Sequence, residues 1–269
     1  HALCPERFFV KLPLTPAGLL GMRRLRRDGV PVNFTLGFSA RQNYLAARLG
    51  DPSYVNVFLG RLNAFVIDSK LGDGEGVGEK ATAASQEAVA ALRRTGAAHT
   101  RQIAASMRGG AQVWTLAGVD VMTIPLAVAQ EYRDAARPPG AGRGPAAAEI
   151  RPGIEPGALD SLRFSCLWEV PADFRAAVDA LLQQDLDRMT GPELVASLRR
   201  SGVVDLFPEY SPAEVETIRR DGKIPVLERW RRRIEDGTTS LDSLLNVSGL
   251  YSFATDQQAL DDRVRGLLG

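Results

Sequence analysis

Histidine and cysteine are nearly absent from this chain of 269 residues. His1 and His99 are the only histidines, and Cys4 and Cys166 the only cysteines. Two histidines leave little material for a His-based metal centre or a Ser-His-Asp triad. The cysteines form no CxxC pair and no metal-ligand spacing, so reduced thiols, a cytoplasmic location and no metal are expected. No apolar run reaches membrane-spanning length and no signal peptide is visible, which argues against a membrane partner. An excess of charge is also lacking: 33 Lys and Arg stand against 32 Asp and Glu, for a formal net charge of +1. That balance gives no support for a nucleic-acid partner. The local clusters Arg23-Arg24-Leu25-Arg26-Arg27 and Arg231-Arg232-Arg233 read as solvated helix faces. An initial methionine is missing too. The chain starts at His1 and runs almost at once into an apolar strand, so it reads as the downstream part of a longer protein, or as a processed or trimmed chain.

What remains is ordinary globular composition, 45% apolar and 24% charged, in a length that suits one large α/β domain or two smaller ones. Residues 7–12 read as a strand, and Thr15-Pro16 as a helix N-cap followed by a first-turn proline. The pattern then alternates. Strands are expected at Val32–Gly37, Tyr54–Leu59, Arg101–Ser106 and Val119–Ile124. Helices are expected at Ser39–Leu49, Glu79–Thr95, Gly110–Ala117 and Leu126–Ala136. Five β-α repeats with short loops imply a parallel sheet covered by helices, either a (β/α)₈ barrel or a doubly wound open sheet. The run Gly72–Gly78 does not join a strand to a helix N-terminus as a dinucleotide fingerprint must, and reads as a flexible loop. A Pro/Gly/Ala linker at Pro138–Pro145 divides the chain into 1–137 and 138–269. The second part reads as helical, with helices at Ala172–Met189, Pro192–Arg200, Pro212–Arg220, Val226–Ile234 and Gln257–Leu268. Leu162–Trp168 is its one β-patterned segment.

Chemistry enters at Phe8-Phe9-Val10-Lys11-Leu12-Pro13. A lysine inside an apolar strand is costly to bury as an ammonium, and desolvation favours the neutral, nucleophilic amine. Such an amine can condense with a sugar carbonyl as a Schiff base. The plain alternative is a lysine at a strand end whose amine reaches water. Barrel enzymes place their sites at strand C-terminal ends. The polar residues expected there are Lys11, Asn33, Thr35, Asn56, Arg61, Ser106 and Arg108, with Phe58 beside Arg61. Each has a bland reading: Asn33 and Thr35 as a solvated strand face, Ser106 as a helix cap, Arg61 in a surface ion pair. Together they suggest an anionic-sugar site, with Ser106, Arg108 and the backbone N–H groups of the following Gly-Gly helix start holding a phosphate.

The motifs Val10-Lys11-Leu12-Pro13-Leu14-Thr15, Asn33-Phe34-Thr35-Leu36-Gly37-Phe38-Ser39, Phe58-Leu59-Gly60-Arg61 and Ala105-Ser106-Met107-Arg108, with the tail from Phe253-Ala254-Thr255-Asp256-Gln257 to Leu267-Leu268, resemble the transaldolase family of class I aldolases. The resemblance implies a (β/α)₈ TIM barrel of which strands four to eight are visible, extended by the helical C-terminal region. It makes Lys11 the Schiff-base lysine. Asn33 would bond the donor sugar near the imine, and Thr35 would position a catalytic water. Arg61, Ser106 and Arg108 would bind the substrate phosphate. Phe58 resembles the true transferases, whereas the fructose 6-phosphate aldolases have Tyr there. Asn56 departs from the small residue usual in the family. The three strands that precede the lysine strand in the family, with an Asp on the first and a Glu on the third, have no counterpart before Phe8.

The implied reaction, in the pentose phosphate pathway, moves a dihydroxyacetone unit from sedoheptulose 7-phosphate or fructose 6-phosphate to glyceraldehyde 3-phosphate or erythrose 4-phosphate. The lysine does the work of a cofactor, so none is called for. The alternatives are a lyase of the fructose 6-phosphate aldolase type and a non-catalytic sugar-phosphate-binding protein. The expected partners are sugar phosphates, and a homo-oligomer remains open.

Overall fold

The computed structural model describes residues 7–136, 142 and 144–268. His1, Cys4 and most of the expected linker lie outside the described residues. Five strands form one sheet in the order of the chain: β1 (Val10–Pro13), β2 (Val32–Thr35), β3 (Tyr54–Phe58), β4 (Arg101–Ala105) and β5 (Val121–Met122). Every neighbouring pair is parallel. A doubly wound sheet reverses its strand order part-way. This one does not, so of the two expected architectures the sequential, singly wound one is present.

The crossovers are α1 (Pro16–Arg27), α2 (Ala40–Gly50), the pair α3 (Leu59–Asp68) and α4 (Val77–Arg94), and α5 (Ala111–Thr115); α6 (Leu126–Asp134) follows β5. The cap read at Thr15 is made, its Oγ1 accepting the Gly18 N–H at 2.9 Å. Ser39, expected as the first helical residue, is instead the cap of α2, its Oγ accepting the Gln42 N–H at 3.2 Å. Helix α3 was not expected. It starts on the residue after β3, with no loop and no side-chain cap. The Gly-rich run lies between α3 and α4 and is pinned rather than free. Gly74 N–H donates to the Gly153 carbonyl (3.0 Å), Gly153 N–H to the Glu75 carbonyl (2.7 Å), and Glu155 N–H to the Leu71 carbonyl (2.8 Å). Its glycines serve backbone geometry, with Gly74 and Gly76 both at φ +72°.

Beyond residue 144 the chain forms α7 (Pro156–Ser161), α8 (Ala172–Leu182), α9 (Gly191–Arg200), α10 (Pro212–Asp221), α11 (Leu227–Glu235) and α12 (Leu241–Leu268). The β-patterned segment Leu162–Trp168 is instead a 3₁₀ turn over Phe164–Leu167. Its Leu162, Phe164 and Leu167 are fully buried, so burial rather than strand pairing explains its apolar character. The helix expected at Ala172–Met189 stops at Leu182, and the one expected from Gln257 begins at Leu241.

Two apolar cores join this region to the sheet. In one, Phe174, Val178 and Leu181 of α8 and Leu194 and Leu198 of α9 meet Leu19, Leu45, Phe34 and Val55. In the other, Trp230 and Ile234 of α11 and Leu241, Leu244 and Leu245 of α12 share a core with Leu36, Val57, Leu62 and Phe65. An ion cluster adds direction. Buried Arg41 of α2 forks onto Asp242 of α12 (2.9 Å twice) and onto Asp205 (3.0 and 3.1 Å). Ser39 and Ser240 donate to the Asp242 carboxylate at 2.7 and 2.6 Å. The start of α12 is thereby fixed against α2, and the helix continues to the C-terminal ends of the strands. There Asn246 Nδ2 donates to the Leu36 carbonyl at 2.9 Å.

Candidate active site

Strand parity divides the sheet into two chemical faces. Val32, Phe34, Val55, Val57 and Ala104 point to the helix layer and are fully buried or nearly so. The opposite face carries Lys11, Asn33, Thr35, Asn56 and Phe58. The register aligns them, pairing Lys11 with Asn33, Pro13 with Thr35, Asn33 with Tyr54 and Phe58 with Ala105. The solvated strand face considered for Asn33 and Thr35 is excluded in part. Thr35 is 3% exposed, and its Oγ1 has no hydrogen-bond partner. Asn56 is likewise buried and donates from Nδ2 to Asn33 Oδ1 at 3.2 Å, while its own Oδ1 is unpartnered.

Lys11 corrects the expectation that opened the chemistry: it is exposed, not buried. The cause is its strand. β1 pairs only with β2 among the described residues, and Phe8 and Phe9 beside it are 58% and 49% exposed. The Lys11 amine lies 5.5 Å from the ring centroid of Phe253.

Arg61, the next of the expected site residues, lies in the first turn of α3. Arg61 is 8% exposed and its Nη1 has no hydrogen-bond partner. Its guanidinium lies 5.3 Å from the Phe58 ring and 5.6 Å from the Phe253 ring. Burial first, and then the charge of Arg108, lower its pKa against the opposing charge of Asp256. The surface ion pair offered as its bland reading is not made among the described residues. Two glycines admit these cations. A Cβ on Gly60 would collide with the Ser106 carbonyl and come within 2.8 Å of Arg108 Cγ, and one on Gly249 would come within 3.0 Å of Arg61 Nη1. Ser106 follows β4 in the left-handed region at φ +65°, as Leu36 follows β2. Such backbone costs of order 1–3 kcal/mol in a residue with a side chain and tends to mark ligand sites.

One part of the expected phosphate cradle is not available. The Arg108 and Gly109 N–H groups donate to Gln112 Oε1 (2.6 and 3.2 Å), and the Gly110 N–H to Glu131 Oε2 (2.9 Å). With these amides occupied, the expected cradle is left with side chains only. Ser106 is not a helix cap either, because α5 starts at Ala111 with Gly110 before it.

Phe253 had been noted only as part of the tail. It touches Lys11 and Arg61 and lies 6.4 Å, edge-on, from Phe58. The two cations can be no further apart than the sum of their distances to that one ring. Nothing local in the sequence marks Phe253, because its place depends on α12 crossing to the strand ends from two hundred residues away. Among the described residues no group of His, Cys, Asp and Glu could hold a metal ion, and no helix is long and apolar enough to cross a membrane.

A model of the family described as Transaldolase/Fructose-6-phosphate aldolase matches residues 1–188. Among curated proteins, one named probable transaldolase from Kosmotoga olearia is 33% identical over 132 residues, which are 48% of this chain and 54% of the relative. Those from Exiguobacterium sibiricum and Brachyspira hyodysenteriae, with the same name, are 40% identical over 121 residues and 36% identical over 128. These alignments cover 44% and 47% of this chain, and 50% and 52% of the relatives. The chain thus spans about half the length of the curated relatives it matches. By the match over residues 1–188, this chain belongs to the transaldolase/fructose-6-phosphate aldolase family.

Proposed function

We propose that this chain carries the Schiff-base and phosphate-binding part of a transaldolase-type enzyme. The observation that carries the reading is the Arg61–Phe253–Lys11 cluster, in which a buried guanidinium with an unpartnered Nη1 and a primary amine lie 5.6 and 5.5 Å from the centroid of one aromatic ring. In this reading Lys11 attacks the C2 ketone of a ketose phosphate, and loss of water gives an iminium. The C4 hydroxyl gives up its proton to solvent water, the C3–C4 bond breaks with its electron pair flowing toward the iminium nitrogen, and an aldose phosphate leaves. The enamine left on Lys11 then adds to the carbonyl carbon of a second aldose phosphate, and water releases the new ketose. Asn33, oriented by Asn56, bonds the donor hydroxyls. Thr35 Oγ1 positions water, and Arg61, Arg108 and Ser106 hold the phosphate. The five strands then correspond to strands four to eight of a (β/α)₈ barrel, residues 1–137 form its arc, and 138–269 pack upon it.

Phe58 favours transfer over release of free dihydroxyacetone, because it offers no hydroxyl to the carbanion side. The exposure of Lys11 favours the second reading, a sugar-phosphate-binding protein without turnover. The two carboxylates that the family resemblance uses for proton transfer are not among these residues, and general acid–base help contributes roughly 10² to 10⁴ in rate. The 269-residue chain is therefore expected to form the imine yet turn over slowly.

The test is intact mass after incubation with fructose 6-phosphate and borohydride. A reduced adduct in the wild type that is absent from Lys11→Arg supports the Schiff-base reading. A cooperatively folded chain that traps nothing, yet binds the sugar phosphate equally well with Lys11→Ala, supports the binding protein.

A further inference from the structure

Glu79 and Gln112 have no role in the proposed function, yet they join a buried carboxylate to a side-chain amide. Glu79 lies in the first turn of α4 and is 5% exposed. Among the described residues it makes no ion pair. Its carboxylate accepts from Asn63 Nδ2 (3.1 and 3.3 Å) and from Gln112 Nε2 (2.6 Å). A buried carboxylate costs several kcal/mol unless hydrogen bonds replace its water, so its retention needs a reason.

The reason lies in the amide it faces. A carboxylate only accepts, so Gln112 must turn its NH₂ toward Glu79 and its carbonyl oxygen the other way. That oxygen receives the N–H groups of Arg108 and Gly109. A neutral amide at position 79 would no longer enforce that orientation, and only the two turn N–H groups would hold the acceptor in place. Asn63 obeys the same logic, donating to Glu79 and accepting the Gly78 N–H at 2.7 Å. A relay thus runs from α3 through α4 and α5 to the turn after the left-handed Ser106. Arg108 is held there beside Arg61, although the two guanidinium groups repel.

We propose that Glu79 and Gln112 are a positioning pair that fixes the Ser106–Gly110 turn so that Arg108 and Arg61 converge on one phosphate monoester. This rests on the phosphate-binding reading above. It makes a prediction opposite to simple electrostatics. Glu79→Gln renders the protein more positive, which by charge alone would tighten anion binding. Through the relay it weakens the hold on the Gln112 carbonyl oxygen and so on the turn, and phosphate should bind more weakly.

The experiment is calorimetric titration of the 269-residue chain with inorganic phosphate, with thermal unfolding of each variant. Arg108→Met reports on the phosphate reading and should weaken binding at least about tenfold. Glu79→Gln and Gln112→Met should each weaken it about fivefold, the loss of one oriented hydrogen bond. Glu79→Gln combined with Gln112→Glu should recover most of it. The amide at 79 then donates to a carboxylate at 112, which accepts both turn N–H groups. If wild type does not bind phosphate, or Arg108→Met binds as wild type does, the phosphate reading fails and the relay with it. If Arg108→Met is weak while Glu79→Gln and Gln112→Met bind normally, the relay alone is overturned. Should a single variant not fold, the swapped pair decides: wild-type binding upholds the relay, and lost binding or lost folding overturns it.

Discussion

Arg61 packs against the neighbouring rings of Phe58 and Phe253 and beside Arg108, with Nη1 unbonded. Burying an incompletely bonded cation costs free energy, and the downward pull on its pKa expresses that cost. Arg61→Met keeps the stem that packs against the rings and removes the charge. It should raise unfolding stability by about 1–2 kcal/mol in urea titrations and abolish phosphate binding in the same preparation. A variant that is both less stable and still phosphate-binding would show that Arg61 serves packing. Cys166 makes a contrasting case. Burial first, and then the Asp242 carboxylate, push its thiol up to about 12, against the charge of Arg41. At pH 8 only about one thiol in 10⁴ is then a thiolate. Maleimide should label Cys166 far more slowly in the folded chain than in urea; mass spectrometry of the tryptic peptide separates it from Cys4.

Helix α12 joins distant residues into the site, and its anchor titrates. Burial raises the Asp242 pKa, but the Arg41 charge and the bonds from Arg41, Ser240 and Ser39 outweigh it, holding the carboxylate below its usual range. A carboxylate lowered by folding contributes stability that is complete above its unfolded pKa of about 3.9 and is lost as pH falls through the lower folded value. Acid should therefore weaken the fold below about pH 4. Asp242→Asn should cost about 3 kcal/mol at pH 7 and flatten that acid limb, as read from urea midpoints at several pH values. The sequence exposed the local half of this architecture. Thr15-Pro16 and Ser39 announce their helices through the next three residues, and β2 and β3 through alternation and β-branching. It concealed what depends on distance. Helix α3 starts without a cap because β3 runs straight into it, and Leu162–Trp168 is apolar through burial in a turn. Lys11 took its expected burial from flanking residues, although a strand's exposure is set by its neighbours in the sheet. Thr35, Asn56 and Arg61 were visible as residue types, but their unpartnered atoms exist only after packing. Phe253 and the Glu79–Gln112 pair gave no local signal at all.

At the scale of the molecule, strand order 1-2-3-4-5 leaves β1 and β5 each with one partner among the described residues. The side of β1 away from β2 has no strand partner among the described residues, next to the exposed rings of Phe8 and Phe9. A second apolar surface is the outer end of α12, where Leu260, Val264, Leu267 and Leu268 are 45% to 83% exposed at three- and four-residue spacing. Both favour self-association, but they differ in kind. The edge adds directional hydrogen bonds to its apolar area, whereas the helix offers apolar area alone on a segment with no tertiary cover. The edge should dominate. Sedimentation velocity across a concentration series should show association that Phe8→Lys with Phe9→Lys suppresses and Val264→Lys with Leu268→Lys leaves in place. The reverse result would make α12 the contact. Because the edge is also the strand of Lys11, association through β1 would cover the amine. Borohydride trapping with a ketose phosphate should then decline with rising protein concentration in the wild type and stay constant in the Phe8→Lys, Phe9→Lys variant.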